Sequence, residues 1–342
     1  MTTVLDLHEW EECTPGTTPA LARQSFDGVP ASRNLAERLA QKDILQVTEL
    51  HSGLAVAATS YVGRISLGPL QITVRPKIDV DILRTLLRYA YGLRNLTTFA
   101  DANQALQAGT FQDLLIVQLA VEVAELEARG LHRSYVPQEE MLAAPRGRID
   151  LQRMAQQGGV VTATLPCRHH PRFEDTPPNQ IVLAGLRLAA RLTDDLLLRT
   201  RLRRLAARMA EHVSVFPLTA KGLAAARRRL NRMTAAYEPA FDLIALLLEG
   251  TGVSLEDAEQ SLALPGFLFD MNLFFEALLT RFLTANLPGY QVHSQFRLRD
   301  MMRYLPEANT LHRQAPTPRP DIVIRQSGKT VAMLDTKYRD LW

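Results

Sequence analysis

The stretch Pro320–Tyr338 constrains the fold of this chain more than any other. Pro320-Asp321 opens the run Ile322-Val323-Ile324-Arg325, Gln326-Ser327-Gly328-Lys329 interrupts it, and Thr330-Val331-Ala332-Met333-Leu334 leads into Asp335-Thr336-Lys337-Tyr338. Two short β-branched runs around a Ser-Gly pair predict a tight hairpin. Each run is nearly continuous in hydrophobicity, so both strands are expected to be buried.

Side chains alternate across a strand, so Asp335 and Lys337 are expected on one face and Thr336 on the other. The antiparallel partner starts at Asp321, which the hairpin places near Asp335. Two carboxylates and an ammonium then converge at one end of an apolar sheet. Carboxylate oxygens suit Mg²⁺, which usually keeps several waters. A neighbouring lysine orients or deprotonates such a water and offsets charge building on a phosphate. The competing reading is a surface hairpin with ordinary ion pairs.

The pattern Pro-Asp, a hairpin-length gap, then Asp-x-Lys resembles the signature of the PD-(D/E)xK nuclease superfamily. Upstream, Met271 to Leu287 carries Leu273, Phe274, Ala277, Leu278, Phe282 and Leu283 at helical period. In the superfamily a helix before the sheet often supplies another acid to the metal site, and Glu276 matches that place; on periodicity alone it is equally a solvated helix-face glutamate. Tyr290 to Leu298 supplies a first strand, giving the order helix, strand, strand, strand. The resemblance implies Asp321, Asp335 and Glu276 as metal ligands and Lys337 as the group that positions the attacking water.

With 342 residues the chain has room for about two or three domains. A net charge of +3 says little about partners, so the distribution of charge has to be read instead. Cys13 and Cys167 are too few for a disulfide framework and fit a reducing cytoplasm. No signal-peptide core and no run of 18 apolar residues is present, so a cytoplasmic location without membrane contact is expected.

Residues 1–100 read as a β-rich domain with a partner-docking role. Ser32 is placed to cap a helix over 34–42, with Leu35 and Leu39 one turn apart, and the segment from Tyr61 to Ile78 reads as two strands around Gly68-Pro69. A helix follows, with Asp81 near its start and Leu83, Leu86, Leu87 and Ala90 inward. Residues 101–262 read as mainly helical: Leu114 to Arg129 has one apolar face, with Glu122, Glu125 and Glu127 on the other. Tyr135 to Asp150 is an extended piece with a turn at Gly147, and 166–179 is a loop leading into the helix Gln180 to Arg191. Residues 263–342 read as the nuclease core.

The segments YVGRISLGPLQITVRPKI, APRGRID, LPCRHHPRFEDTPPNQIVL and RPDIVI…MLDTKYRD occur in the order seen in the McrC family, over roughly residues 60–342. That family is the nuclease subunit of the McrBC 5-methylcytosine restriction system. The resemblance implies an endonuclease acting on duplex DNA with an AAA+ GTPase, McrB-like partner that reads the methylated base and translocates DNA. This chain would supply the cutting site and a surface that stimulates GTP hydrolysis. The superfamily core ordinarily continues past its lysine into a helix and a strand, whereas this chain ends five residues after Lys337, so the core is expected to be truncated or completed elsewhere.

Between Arg199 and Arg232 stand ten basic residues and one acid, Glu211. Arg201, Arg204 and Arg208 recur at helical spacing, and Arg227, Arg228, Arg229 and Arg232 follow. The stripe reads either as a tracker of DNA phosphates or as a solvated helical hairpin whose arginines pair with acids elsewhere. Few aromatics interleave with it, so base stacking is not expected there. Cys167, His169 and His170 lack a second pair at zinc spacing. Ser327-Gly328-Lys329-Thr330 lacks the upstream glycine of a phosphate-binding loop, because position 323 is valine, so nucleotide hydrolysis is assigned to a partner. Arg146 and Arg148 around Gly147 form an exposed charged turn or a contact to phosphates.

The fold class expected is α+β multidomain: a β-rich N-terminal domain, a helical middle and a C-terminal PD-(D/E)xK nuclease-like core. The function expected is Mg²⁺-dependent hydrolysis of duplex DNA under control of the GTPase. Two rivals stand beside it: a non-catalytic adaptor that stimulates an AAA+ motor and binds DNA, and a stand-alone repair nuclease.

Overall fold

The computed structural model describes residues 3–93, 111–156, 163–253, 262–263, 266–298, 301–302, 304 and 315–338. Its contacts divide into two units, 1–118 with 246–342, and 119–245. The mixed α/β, multidomain class expected from the sequence is what the chain adopts.

The first unit begins with β1 (Thr3–His8) and β2 (Glu12–Cys13). Helix α1 (Pro30–Gln41) starts earlier than expected: Pro30 takes the first turn, where its missing N–H costs nothing, and Ser32 lies inside the helix rather than capping it. Strands β3 (Leu45–Leu50), β4 (Gly53–Ala58), β5 (Tyr61–Leu67) and β6 (Leu70–Arg75) follow. The Gly68-Pro69 turn joins β5 to β6 as read, with Gly68 at φ 55°. Asp79 caps α2 (Val80–Tyr91), accepting from the amides of Asp81 and Ile82, and Leu83 and Leu87 are its buried residues, with Leu86 and Ala90 half-buried.

In the second unit, α3 (Phe111–Arg129) enters from the first and departs from the two-faced reading. Positions 111–123 are buried on every side, and Gln118 and Glu122 lie inside with the apolar residues. Strands β7 (Ser134–Tyr135), β8 (Gln138–Leu142) and β9 (Arg148–Ile149) follow, then the short α4 (Leu151–Gln156). Pro166–His169, expected as loop, is strand: β10 (Leu165–His169) runs between β8 and β9. Gly147, at φ 72°, lies so close under the Arg168 carbonyl that a Cβ would collide with it. After β11 (Arg172–Phe173) come α5 (Pro177–Leu192), α6 (Leu196–Ala210) and α7 (Ala220–Arg227). Helix α5 buries Ile181, Val182, Leu183, Leu186 and Ala189, and α6 buries Leu198, Leu202, Leu205 and Met209. Tyr237 ties this unit together, its hydroxyl donating to Asn179 Oδ1 (2.6 Å) and accepting from the His132 amide (2.8 Å).

Helix α8 (Glu238–Thr251) returns the chain to the first unit. There the two-residue strands β12 (Gly252–Val253) and β13 (Leu262–Ala263) pair with each other. Strand β14 (Gly266–Asp270) pairs antiparallel with β5 and completes a four-stranded sheet of order β1-β6-β5-β14, in which β1 and β6 are parallel. Its core holds Leu5, Leu7, Ile65, Ile72, Val74 and Leu268. Gly63 faces Leu268 across the ladder at φ 135°, where a Cβ would strike the Phe267 carbonyl. Helix α9 (Met271–Asn286), β15 (Gln291–Ser294), β16 (Ile322–Gln326) and β17 (Lys329–Leu334) follow in the predicted order, as a second sheet β15-β16-β17.

The expectation that both hairpin strands are buried holds for one. Ile322 and Val323 are fully buried in the central strand, whereas β17 is the edge, with Val331 56%, Met333 47% and Leu334 38% exposed. Among the described residues no helix is long and apolar enough to cross a membrane.

Candidate active site

The start of α9 is pinned before it delivers a functional side chain. Asp270 caps the helix by accepting from the Asn272 amide (2.9 Å) and accepts the Ser60 hydroxyl (3.1 Å), and Asn272 Nδ2 donates to Ser60 Oγ (2.7 Å). One turn beyond Asn272, Glu276 lies on the same helix face and is buried. A carboxylate taken from water needs donors, and Gln295 Nε2 supplies one at 2.6 Å. Burial pushes the Glu276 carboxyl above its usual range; the Gln295 hydrogen bond opposes that shift and the Asp321 carboxylate adds to it.

Gln295 follows β15, and its amide donates to the Asp321 carbonyl (2.8 Å). Asp321 immediately precedes β16, and Ile322 is paired with Leu334, so Asp321 stands across from the chain leaving β17. There the Thr336 amide and hydroxyl both donate to Asp321 Oδ2, at 2.6 and 2.9 Å. Thr336 therefore turns toward Asp321 rather than away from it. The ladder ends at Leu334, and strand alternation no longer sets side-chain direction beyond it. Lys337 Nζ lies 3.5 Å from Asp335 Oδ2, both side chains well exposed. Tyr338 anchors the end of this segment: its buried hydroxyl donates to Glu9 Oε2 (2.9 Å), and Lys77 Nζ sits 4.3 Å from its ring centre.

Glu276, Asp321, Asp335 and Lys337 thus line one cavity of about 400 Å³, together with Thr336, Gln295 and Trp10. Among the described residues five non-glycine positions have φ above zero, and Trp10 (65°), Asp43 (55°) and Gln295 (50°) all line this cavity. Such backbone costs about 1–3 kcal/mol each and concentrates at functional sites. The donors facing the cavity include three carboxylates, the oxygen chemistry a hard divalent cation takes. Among the described residues no three His, Cys, Asp or Glu side chains are gathered closely enough to hold a metal. The acids share a cavity, and Asp335 is the most exposed of the three, its side chain 71% exposed.

Sequence reasoning missed Thr336, Gln295 and Trp10. Thr336 was legible as the residue between Asp335 and Lys337, but Trp10 has no local signal that relates it to residue 335.

The predicted arginine stripe lies in the second unit. Arg201, Arg204 and Arg208 are on α6, Arg227 ends α7, and Arg228, Arg229 and Arg232 follow exposed. Within the stripe, Arg208 pairs with Glu127 at 2.5 Å and Arg227 pairs with Asp242.

Fold and site define a multidomain α+β protein with an acid-and-lysine cavity beside a three-stranded sheet. The family model described as McrBC 5-methylcytosine restriction system component matches residues 56–342. The chain belongs to that family, and the McrC resemblance read from its motifs is borne out. The chain is similar in fold to one in a refined half-complex from the tetradecameric assembly of Thermococcus gammatolerans McrB AAA+ hexamers with bound McrC. There the TM-score is 0.59 at 21% identity, over 98% of this chain and 80% of that one. A cryo-EM structure of the McrBC complex from the same organism gives 0.56 at 20% identity, over 84% and 89%. No curated protein matches the sequence.

Proposed function

We propose that this chain is the DNA-cleaving subunit of a modification-dependent restriction system, hydrolysing phosphodiesters of duplex DNA at the cavity that holds Glu276, Asp321, Asp335 and Lys337. The observation that carries this reading is the convergence of those four side chains, from a helix and two strands, on one concave site. Mg²⁺ bound by Asp321, Asp335 and Glu276 would polarise the phosphoryl oxygens and acidify a water. Thr336 fixes Asp321 with two hydrogen bonds, and Gln295 fixes Glu276 with one. Lys337 Nζ, 3.5 Å from Asp335 Oδ2, would orient the attacking water and offset charge on the phosphate. Trp10, 48% exposed, lines the same cavity.

The structural relatives come from assemblies whose description joins McrC to McrB AAA+ hexamers, and in this reading an AAA+ GTPase docks on this chain and controls cutting. The arginine stripe would hold the DNA backbone without sequence choice. A second reading, an adaptor that binds DNA and stimulates the motor without cutting, draws on the spread of the carboxylates. Asp321→Ala and Asp335→Ala separate the two: loss of nicking with circular dichroism unchanged supports the nuclease, and a wild-type preparation that never cuts while accelerating GTP turnover supports the adaptor.

A further inference from the structure

The helical unit holds a second concave site whose residues take no part in the cavity above. Arg187 and Arg191 on α5, Arg203 on α6 and Phe216 beyond it line a space of about 440 Å³ with a floor that includes Ala190 and Ala206. Arg187 and Arg191 are four residues apart and so share one face of α5, where like charges destabilise a helix by a few tenths of a kcal/mol. Neighbouring arginines are neutralised: Arg199 faces Asp194 at 3.7 Å, and Arg208 pairs with Glu127. Among the described residues no carboxylate is paired with Arg187, Arg191 or Arg203. Three guanidinium groups are thus collected over alanine and an exposed phenylalanine without an internal counter-charge.

An anion would repay that arrangement, and the lining narrows its class. Guanidinium forks match phosphate oxygens bidentately. Phe216 and the alanine floor suit the flat face of a base and a sugar. No Asp, Glu, Asn, Gln, Ser or Thr lines the space, and the arginines, which alone among its side chains could read a base edge, are the groups a phosphate would occupy. The volume is that of a small-molecule site, about 300–1,000 Å³, enough for one nucleotide unit and too narrow to seat a duplex.

We infer that this groove binds single-stranded nucleic acid without sequence preference, one backbone phosphate held by Arg187, Arg191 and Arg203 and the adjoining base laid on Phe216. The site goes beyond the cleavage reading and does not depend on it.

The test is fluorescence anisotropy of a labelled oligothymidylate titrated with the full chain in EDTA, which keeps cleavage out of the readout, across a salt series. Arg187→Ala/Arg191→Ala/Arg203→Ala is expected to weaken binding at least tenfold and to reduce the slope of log affinity against log salt by about 0.7, the share of the one phosphate given up. Phe216→Ala is expected to weaken binding about tenfold at unchanged slope, as loss of stacking does. Arg129→Ala/Arg172→Ala, which removes exposed charge elsewhere in the unit and outside the arginine stripe, is expected to leave single-strand affinity within about twofold. Unchanged helical ellipticity confirms folding of each variant. Three results would overturn the inference: equal affinity for the triple variant and wild type, an equal loss in the Arg129/Arg172 variant, or free thymidine monophosphate displacing the strand at matched nucleotide concentration. Loss of partner docking with single-strand binding intact would also overturn it and make the groove a protein contact.

Discussion

Thr336→Val tests the site through one hydroxyl. Valine keeps the shape of threonine and the main-chain bond from residue 336 to Asp321 Oδ2, and removes only the 2.9 Å hydroxyl bond. A hydrogen bond to a charged group is worth about 1.5–3 kcal/mol. Asp321 is half-buried and keeps its shorter amide bond, so the lower end applies, about 1.5 kcal/mol. If Asp321 must be held still in the transition state, the same energy appears in cleavage as roughly a tenfold loss, since 1.36 kcal/mol is a factor of ten. Urea unfolding at constant slope reads the stability change as a lower midpoint, and initial nicking rates read the activity. Thr336→Ser, which restores the hydroxyl, is expected to recover most of both. A Thr336→Val protein as stable and as active as wild type, or a Thr336→Ser protein as impaired as valine, would refute the argument.

Lys337→Ala is expected to abolish cleavage with melting temperature unchanged within about 2 °C, because the ammonium is 63% exposed and its pairing contributes little to stability; differential scanning calorimetry and plasmid nicking check the two halves. Gly63→Ala should destabilise the first unit by about 3 kcal/mol, since φ is 135° and the new Cβ meets the Phe267 carbonyl, and urea unfolding measures it. Asp175 is held below the usual carboxylate range chiefly by the Ser214 hydroxyl (2.6 Å), opposed by desolvation and helped by Gln180. A depressed folded-state value adds stability above the unfolded value and loses it as pH falls through the folded one. Ser214→Ala should therefore unfold at lower urea than wild type at pH 7, by less than about 1 kcal/mol, and the gap should close below about pH 4.

Local chemistry made some of the architecture readable in advance. The Gly68-Pro69 turn, the helix carrying Glu276 and the hairpin around Ser327-Gly328 are each written in neighbouring residues, and each is where the pattern places it. Pairing across distance was not readable: β5 meets β14 about 200 residues later, and nothing in either run names the other. The apolar content of Val331–Leu334 argued for burial, yet an edge strand is covered on fewer sides than a central one, and composition does not say which strand is the edge. At the site the charged residues stood out by type, whereas the groups that hold them did not. Gln295 acts through a backbone twist at φ 50° and a bond to a helix 19 positions away, and Trp10 arrives from the other end of the chain. Pro166–His169 looked like loop because proline is depleted in strands, but β8 and β9 supply partners on both sides.

The central claim is that the cavity around Asp321 and Asp335 cuts DNA. The direct measurement is cleavage of methylated plasmid in Mg²⁺ by wild type and by Asp335→Ala, each with and without an McrB-like GTPase and GTP. The account predicts cutting by wild type with the partner and GTP, and none by Asp335→Ala, while both accelerate GTP turnover alike. Cutting by Asp335→Ala at the wild-type rate would contradict it.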